Sequence, residues 1–348
     1  MTRLRTEKAM RRKRRFRFRF DEKGAETRLD EGDEEMLSAD DAAYYRPSLR
    51  AASAWLLLAA IGKTAVLPLF EALYGLLGRI WPALSSAGTA LEAELFYKIV
   101  LVATPAWLYM RRDNATRHAA RLIAPERRAL PLTALAAVIA VPFAAALGGL
   151  WARLIEALGG HVTAELAMPV SIGGALLQLA VYALLPAVCE ELLFRGGVMS
   201  AWERRGRRRA LIVQAALFAL IHESAQGFPV QLVLGLVLGR IVMDGGSVYA
   251  GMLFHGLYNA LTLIWSWMLQ GEYAHFYAIS NGVTAQLGLT AAGALALMAV
   301  LYRLRRGGVS GEAPREEMDA GTSVLLLLSV LKMLSLGVLN GLSLFGVI

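Results

Sequence analysis

The sequence has almost no cysteine and little charge. Cys189 is the single cysteine among 348 residues, so no intrachain disulfide can form, and a lone cysteine in a helix usually packs as a small apolar residue. Only 18% of the residues are charged, whereas 56% are hydrophobic. The charged residues also occur in blocks rather than evenly along the chain. This pattern excludes an ordinary water-soluble domain and predicts a chain that is integral to a membrane.

The N-terminal region lacks the apolar segment of a signal peptide. Residues 3–19 contain ten Lys or Arg residues, and residues 21–41 contain ten Asp or Glu residues. A basic block followed by an acidic block is typical of a disordered, self-neutralising tail. Residues 1–47 are therefore predicted to be a cytoplasmic tail that can contact membrane lipids, and residues 48–348 a transmembrane domain. The net charge is +8, but most of the positive charge lies in the tail and in short loops between apolar runs, so we expect no nucleic-acid partner.

Apolar runs between charged loops predict the membrane-spanning helices. Nine such runs favour an all-α, polytopic membrane helix bundle with about eight or nine spans. They cover residues 50–78, 93–110, 130–157, 172–200, 210–223, 229–243, 247–270, 285–302 and 322–346. The fifth and sixth runs would each rise only about 21–22 Å as helices, short of a hydrocarbon core of about 30 Å. We expect them to form a helical hairpin that stops partway across.

Alternate loops between the predicted spans contain no Lys or Arg. These loops are residues 80–92, 159–171 and 271–284. Arginines are concentrated in the other loops, at residues 111–128, 203–209 and 303–315. Since basic loops stay on the cytoplasmic side, this alternation predicts a multi-pass protein of the cell membrane with a cytoplasmic N-terminus. The high content of Ala, Gly and Arg favours a bacterial source.

Three clusters of ionisable residues interrupt the apolar runs. They begin at Glu190, Phe218 and His255 and end at Arg195, His222 and Asn259. An ionisable group in a membrane is costly and is a functional candidate by default. Counted along the helices from one membrane face, Glu190, His222 and His255 lie about 18, 20 and 14 Å deep. The similar depths predict one polar cavity that is open to the cytoplasmic side.

Spacing within the first cluster assigns different roles to its two carboxylates. Glu191 and Arg195 are separated by four residues, so an acid and a base can pair on one helix face. Glu190 lies about 100° around the helix and is free to face a different partner. We therefore expect Glu190 to be the working carboxylate, with Glu191 and Arg195 in support.

Spacing within the other two clusters predicts further contacts. His255 and Asn259 are also four residues apart, so an imidazole and a carboxamide can project together and stabilise an oxyanion. Phe218 lies one turn before His222, and we expect it to pack on that imidazole. An activated water and an oxyanion donor are the requirements of hydrolysis.

Other charged residues also lie in or next to the apolar runs. Lys63 and Glu71 lie in the first span, and Glu94 and Lys98 lie in the second. We expect these four to pair across the two helices as structural links. Glu223, beside His222, is expected at the membrane interface.

The three clusters together resemble the motifs of the type II CAAX prenyl protease family, also called the ABI or CPBP family of intramembrane proteases. The family pattern is Glu-Glu-x-x-x-Arg, Phe-x-x-x-His and His-x-x-x-Asn on separate helices. All three elements occur here in that order, within residues 170–270, which would form the catalytic core. The resemblance implies an endopeptidase that acts near or within the membrane.

Roles for single residues are also implied by the resemblance. Glu190 is similar to the water-activating glutamate, with His222 beside it, and His255 and Asn259 are similar to the oxyanion-stabilising pair. The remaining motif residues, expected in supporting positions, are Glu191, Arg195 and Phe218. The implied substrates are membrane-associated peptides or proteins, either prenylated CAAX-type or bacteriocin-like.

The metal requirement and two other functions stay open at this point. A carboxylate and two imidazoles, from Glu190, His222 and His255, could hold Zn²⁺. However, the sequence has no His-Glu-x-x-His motif on one helix, so a glutamate-type mechanism without a cofactor is favoured over a metallopeptidase. The main alternative is a non-catalytic immunity or scaffold protein that binds a partner in the same cavity. A coupled transporter ranks last, because the sequence shows no internal repeat.

Overall fold

A computed structural model gives the fold of most of the predicted transmembrane domain. It describes residues 46–80, 89–111, 117, 119–162, 169, 171–269, 282–305 and 318–347. The predicted tail over residues 1–47 lies outside the described residues except for its last two positions. Within the described ranges all regular secondary structure is helical, which confirms the all-α prediction.

Each of the nine predicted apolar runs coincides with a helix. The helices are α1 Leu49–Ile80, α2 over residues 89–110, α3 Ala129–Ala157, α4 Ile172–Arg205, α5 Arg207–Ile221, α6 Phe228–Gly245, α7 Val248–Leu269, α8 Val283–Leu304 and α9 Ala320–Leu344. Six of them, α1, α3, α4, α6, α8 and α9, are long and apolar enough to cross a membrane. The chain is therefore a multi-pass membrane protein. The total of eight or nine spans stays a prediction.

Helix α4 occupies the centre of the bundle. Its lower half, from Cys189 to Glu203, is buried throughout, and α4 contacts α1, α2, α5, α6 and α7. Helices α7 and α8 each pack against α3, and α1 packs against α2 and α9. The first motif thus lies on a buried stretch of α4, where a charged side chain must find its partner within the protein.

Helices α5 and α6 form a helical hairpin, and whether it stops partway across the membrane stays a prediction. They approach closely because Gly235 has no side chain: a Cβ at this position would lie 3.0 Å from the Cα of Ala215 on α5. Helix α5 has 15 residues and is about 22 Å long. Two lysines contact the C-terminal end of α5. Lys63 of α1 donates a hydrogen bond to Ile221 O at 2.6 Å, and Lys332 of α9 contacts Glu223 at 2.6 Å. The turn of residues 222–227 is half-buried and contacts α1 and α9.

Three stretches of π-helix interrupt α2 and α4. They are Tyr97–Ala103, Leu179–Leu184 and Leu192–Met199. The first two each end two residues before a proline, Pro105 or Pro186. A proline ring clashes with the carbonyl one turn earlier and leaves it without a donor, so a widened turn relieves the conflict. Because a π-turn contains an extra residue, side chains on either side no longer follow the 3.6-residue register.

Candidate active site

Glu190 has two carboxylate oxygens with different surroundings. The Nζ of Lys98, on α2, contacts Oε1 of Glu190 and also lies 3.6 Å from Oε1 of Glu94. The other oxygen, Oε2, is buried and has no hydrogen-bond partner among the described residues. It lies 3.9 Å from Nε2 of His222, too far for a direct hydrogen bond. Glu190 therefore has one oxygen held by a cation and one available oxygen that faces an imidazole.

His222 is held in one tautomer by the backbone. Its Nδ1 lies 2.7 Å from the carbonyl oxygen of Phe218, and because a carbonyl can only accept, Nδ1 carries the proton. In a neutral imidazole this leaves Nε2 as an acceptor. The Phe218 ring packs edge-on against the imidazole with the ring centroids 4.8 Å apart, which confirms the predicted contact.

The predicted pair of Glu191 and Arg195 is present and fully buried. Nη1 of Arg195 donates to Oε1 of Glu191 at 2.6 Å, and neither side chain is exposed to solvent. His255, on α7, donates from Nδ1 to the same Oε1 at 3.0 Å. Gly251 allows α7 to approach this closely, since a Cβ at that position would lie 2.7 Å from Oε2 of Glu191. The second histidine is thus bound to the second glutamate.

Phe218 joins the two glutamate–histidine pairs. Besides His222, its ring contacts the His255 ring with a centroid distance of 5.9 Å. The guanidinium carbon of Arg195 lies 4.4 Å from the centre of the same ring, a cation–π contact between desolvated groups. Residues from α4, α5 and α7 that are far apart in sequence therefore converge, as their predicted depths indicated.

Asn259 does not join this group. Its Nδ2 donates to the backbone carbonyl of Tyr182, on α4, at 3.3 Å. Although Asn259 and His255 are one turn apart on α7, their polar atoms bind different parts of α4. The structure thus brings together Glu190, His222, Glu191 and His255 but not the carboxamide.

A small cavity lies beside Glu190 and His222. Its volume is about 60 Å³, enough for a few water molecules. It is lined by Lys63, Glu94, Tyr97, Lys98, Val102, Glu190, Leu193, Phe194, Ile221 and His222. Neither His255 nor Asn259 lines this cavity. Glu190 and His222 therefore both line a space that can hold water.

The expected pairing of Lys63 and Glu71 with Glu94 and Lys98 was wrong. Lys98 pairs with Glu190 and with Glu94 of its own helix, whereas Lys63 pairs with Glu223 at 3.6 Å. Lys98 was thus missed as a site residue. Its partner Glu190 is 92 residues away in sequence, so spacing could not reveal the pair. The one signal in the sequence was that lysine is rare in the apolar runs.

Glu223 has a close cationic partner. Its side chain is only 9% exposed and contacts Lys332 at 2.6 Å, and its position at the membrane interface stays a prediction. The residue adopts a positive φ of 56°, which is uncommon for a residue with a side chain and is tolerated where the surroundings fix it. Ala225 in the same turn binds Asn340 and Trp151. The turn that follows His222 is thus fixed by helices α1, α3 and α9.

The predicted zinc donors do not fit a metal site in this arrangement. Zinc is held by three or four donors at about 2 Å. Among the described residues no group of three or more His, Cys, Asp or Glu side chains is arranged to hold a metal. Of the predicted donors, Glu190 contacts the Lys98 ammonium, and His255 binds Glu191 instead of turning toward Glu190 and His222. A cation at Oε1 of Glu190 opposes a second cation there.

The fold and these contacts define a multi-pass membrane protein with a buried carboxylate–imidazole site. Residues 172–261 match the family model described as Type II CAAX prenyl endopeptidase Rce1-like. This segment, which runs from α4 into α7 and contains all three motifs, is therefore similar to the type II CAAX prenyl endopeptidases, and the resemblance indicated by the motifs is confirmed. Searches of curated proteins and of solved structures gave no match. The family is one of peptidases, which act on peptide or protein substrates.

Proposed function

We propose that this protein is an intramembrane endopeptidase in which Glu190 and His222 activate a water molecule. One observation supports this proposal most directly. Two hydrogen-bond acceptors, Oε2 of Glu190 and Nε2 of His222, lie 3.9 Å apart, and both residues line the cavity. Two acceptors at this separation cannot bind each other, but one water can donate a hydrogen to each. Its oxygen lone pairs then face away from both groups, toward a peptide carbonyl.

The reaction follows from general base catalysis. Glu190 takes a proton from the water as the oxygen attacks the scissile carbonyl carbon, and a tetrahedral intermediate forms. Glu190 then gives this proton to the leaving nitrogen as the C–N bond breaks. His222 accepts the second hydrogen bond of the water and orients it, because Nδ1 is already committed to Phe218 O.

The oxyanion role of His255 and Asn259 rests on the family resemblance. His255 uses Nδ1 to donate to Glu191, so it can serve as an oxyanion donor only if Nε2 also carries a proton. Asn259 would have to exchange its bond to Tyr182 O for one to substrate. Substrate binding between α4 and α7 would provide that exchange, and the apo geometry of such donors often tightens only in the complex.

The substrate class and the membrane orientation complete the proposal. We expect membrane-associated peptides, prenylated CAAX-type or bacteriocin-like, to enter a cavity that opens to the cytoplasmic side of a bacterial cell membrane. The arginine-rich loops support a cytoplasmic N-terminus. Contacts with anionic lipids are expected from the basic tail, and binding of nucleic acid is not expected.

A cleavage assay with a histidine variant tests the proposed function. Purified protein in lipid nanodiscs would be incubated with a panel of lipidated and unlipidated peptides, and the products identified by mass spectrometry. His222→Gln should reduce kcat/KM by about 100-fold, because an oriented acid–base partner contributes at least that much. His161→Gln, on an exposed residue beyond the end of α3, is the matched control and should cleave like the wild type.

Two outcomes of this assay contradict the proposal. The first is cleavage that is unchanged in His222→Gln. The second is no cleavage of any peptide by folded wild-type protein, together with a cellular phenotype that persists in the variant. The second outcome would favour the non-catalytic immunity or scaffold protein.

A further inference from the structure

Lysine is used very selectively in this chain. The sequence contains six lysines, and every basic residue in the loops between the helices is an arginine. Three lysines lie in the N-terminal tail, and the others are Lys63, Lys98 and Lys332. Each of the latter three lies in the middle of a helix outside the segment 172–261 that matches the family.

The three helical lysines form one neutral group with three glutamates. Lys332 and Lys63 both contact Glu223, at 2.6 and 3.6 Å. Lys98 contacts Glu190 and Glu94. Three positive and three negative charges thus balance in this group, and each of these cations has a partner.

The contact between Lys98 and Glu190 determines which carboxylate oxygen is available. Lys98 is the one Lys or Arg residue within ion-pair distance of Glu190 in the part of the chain that the structure describes. With Oε1 held by the ammonium, the carboxylate plane is fixed and Oε2 is turned toward Nε2 of His222. The same cation offsets the charge of a carboxylate that is only 7% exposed, which an apolar site would otherwise disfavour.

Lys98 is itself held in place. Its side chain is 13% exposed and has a second carboxylate, Glu94, one turn away on α2. It lies in the π-helical stretch Tyr97–Ala103, a local geometry that is frequent at functional sites. A side chain with two carboxylate contacts and a distorted backbone is fixed at both ends, as a positioning group must be.

We propose that Lys98 is a positioning residue for the general base Glu190, an inference that rests on the proposed function. It holds Oε1 so that Oε2 and His222 share one water, and it keeps Glu190 in the carboxylate form that accepts the proton. The cation comes from α2, outside the family segment. The catalytic geometry therefore depends on a helix that the family motifs do not include.

The test compares two lysine-to-methionine variants on the same charged group. Lys98→Met removes the cation and keeps most of the side-chain volume, so kcat should fall by about 100-fold, the cost of a misplaced catalytic group, with KM within twofold. Lys332→Met is the matched control. Its side chain has a similar exposure of 19%, and its partner Glu223 keeps Lys63, so kcat should stay within threefold of the wild type.

A charge-conserving variant separates positioning from simple packing. Lys98→Arg keeps the cation, so its kcat should stay within tenfold of the wild-type kcat. The kcat of Lys98→Met should be lower than this. If Lys98→Met does not fold, Lys98→Gln keeps an N–H donor for Oε1 without the charge and should still lower kcat by at least tenfold. Folding is checked by size-exclusion chromatography and by the melting temperature.

The outcomes distinguish this inference from the proposed function. If the wild type cleaves peptides, needs Glu190 and keeps its kcat in a folded Lys98→Met or Lys98→Gln variant, the role of Lys98 is overturned and the peptidase remains. Equal losses in Lys98→Met and Lys332→Met also overturn it, because loss of the charged group as a whole would then explain both. A wild type that cleaves nothing overturns both proposals.

Discussion

Glu190→Gln is expected to lose about 100- to 10,000-fold in kcat/KM, the contribution of a general base to hydrolysis. Glutamine has nearly the shape of glutamate and can still bind Lys98 through its amide oxygen, but it cannot take a proton from water. The loss should therefore appear in kcat, with KM little changed and with a folded protein. Initial rates on the best peptide of the panel, measured in nanodiscs, give both constants.

Two matched variants control for this result. Glu71→Gln makes the same chemical change on an exposed position of α1 that does not line the cavity, and it should cleave like the wild type. Glu190→Asp keeps the carboxylate one methylene shorter and should recover part of the lost rate. Full activity in Glu190→Gln would remove Glu190 from the mechanism.

Arg195→Met is expected to produce the largest loss of stability. Both members of the Glu191–Arg195 pair are fully buried, with their atoms 2.6 Å apart. Removal of one partner leaves an uncompensated charge in the bundle, which costs about 3–5 kcal/mol in the free energy of unfolding. The variant also loses the cation–π contact with Phe218. Equilibrium unfolding in mixed detergent micelles measures the change.

A surface pair with the same separation between its charged atoms provides the control. Nε of Arg128 contacts Glu126 at the same distance, 2.6 Å, but the arginine side chain is 71% exposed. Arg128→Met should therefore cost less than about 1 kcal/mol. The double variant Glu191→Gln, Arg195→Met removes both charges and should be more stable than Arg195→Met alone. Equal losses in the free energy of unfolding for Arg195→Met and Arg128→Met would contradict the claim that burial makes Glu191 and Arg195 depend on each other.

Much of the site could be predicted from spacing and depth. A separation of four residues identified the Glu191–Arg195 pair and the packing of Phe218 on His222, because both contacts lie within one helix and depend only on its register. Depth along the helices identified Glu190, His222 and His255 as one group, since the membrane forces each span to cross the same thickness. The nine helices followed from hydropathy for the same reason.

Contacts between helices could not be predicted in this way. Lys98 and Glu190 are 92 residues apart, and the π-turns beside both residues rotate side chains away from the register of an ideal helix. The two ion pairs of Glu223 with Lys63 and Lys332 also join residues that are far apart in sequence. The i,i+4 spacing predicted that the polar groups of Asn259 and His255 act together. In the structure each of the two side chains binds a different residue of α4, because α4 and α7 cross closely.

The metal requirement of the purified enzyme tests the carboxylate mechanism most directly. The protein would be freed of metal with a chelator, its zinc content measured by mass spectrometry, and its kcat compared with that of untreated protein. With Oε1 of Glu190 held by Lys98 and Oε2 shared with His222, we expect kcat to be unchanged at less than about 0.05 zinc per chain, as hydrolysis by a general base requires no metal. Loss of activity on chelation, restored by one equivalent of Zn²⁺, would contradict it.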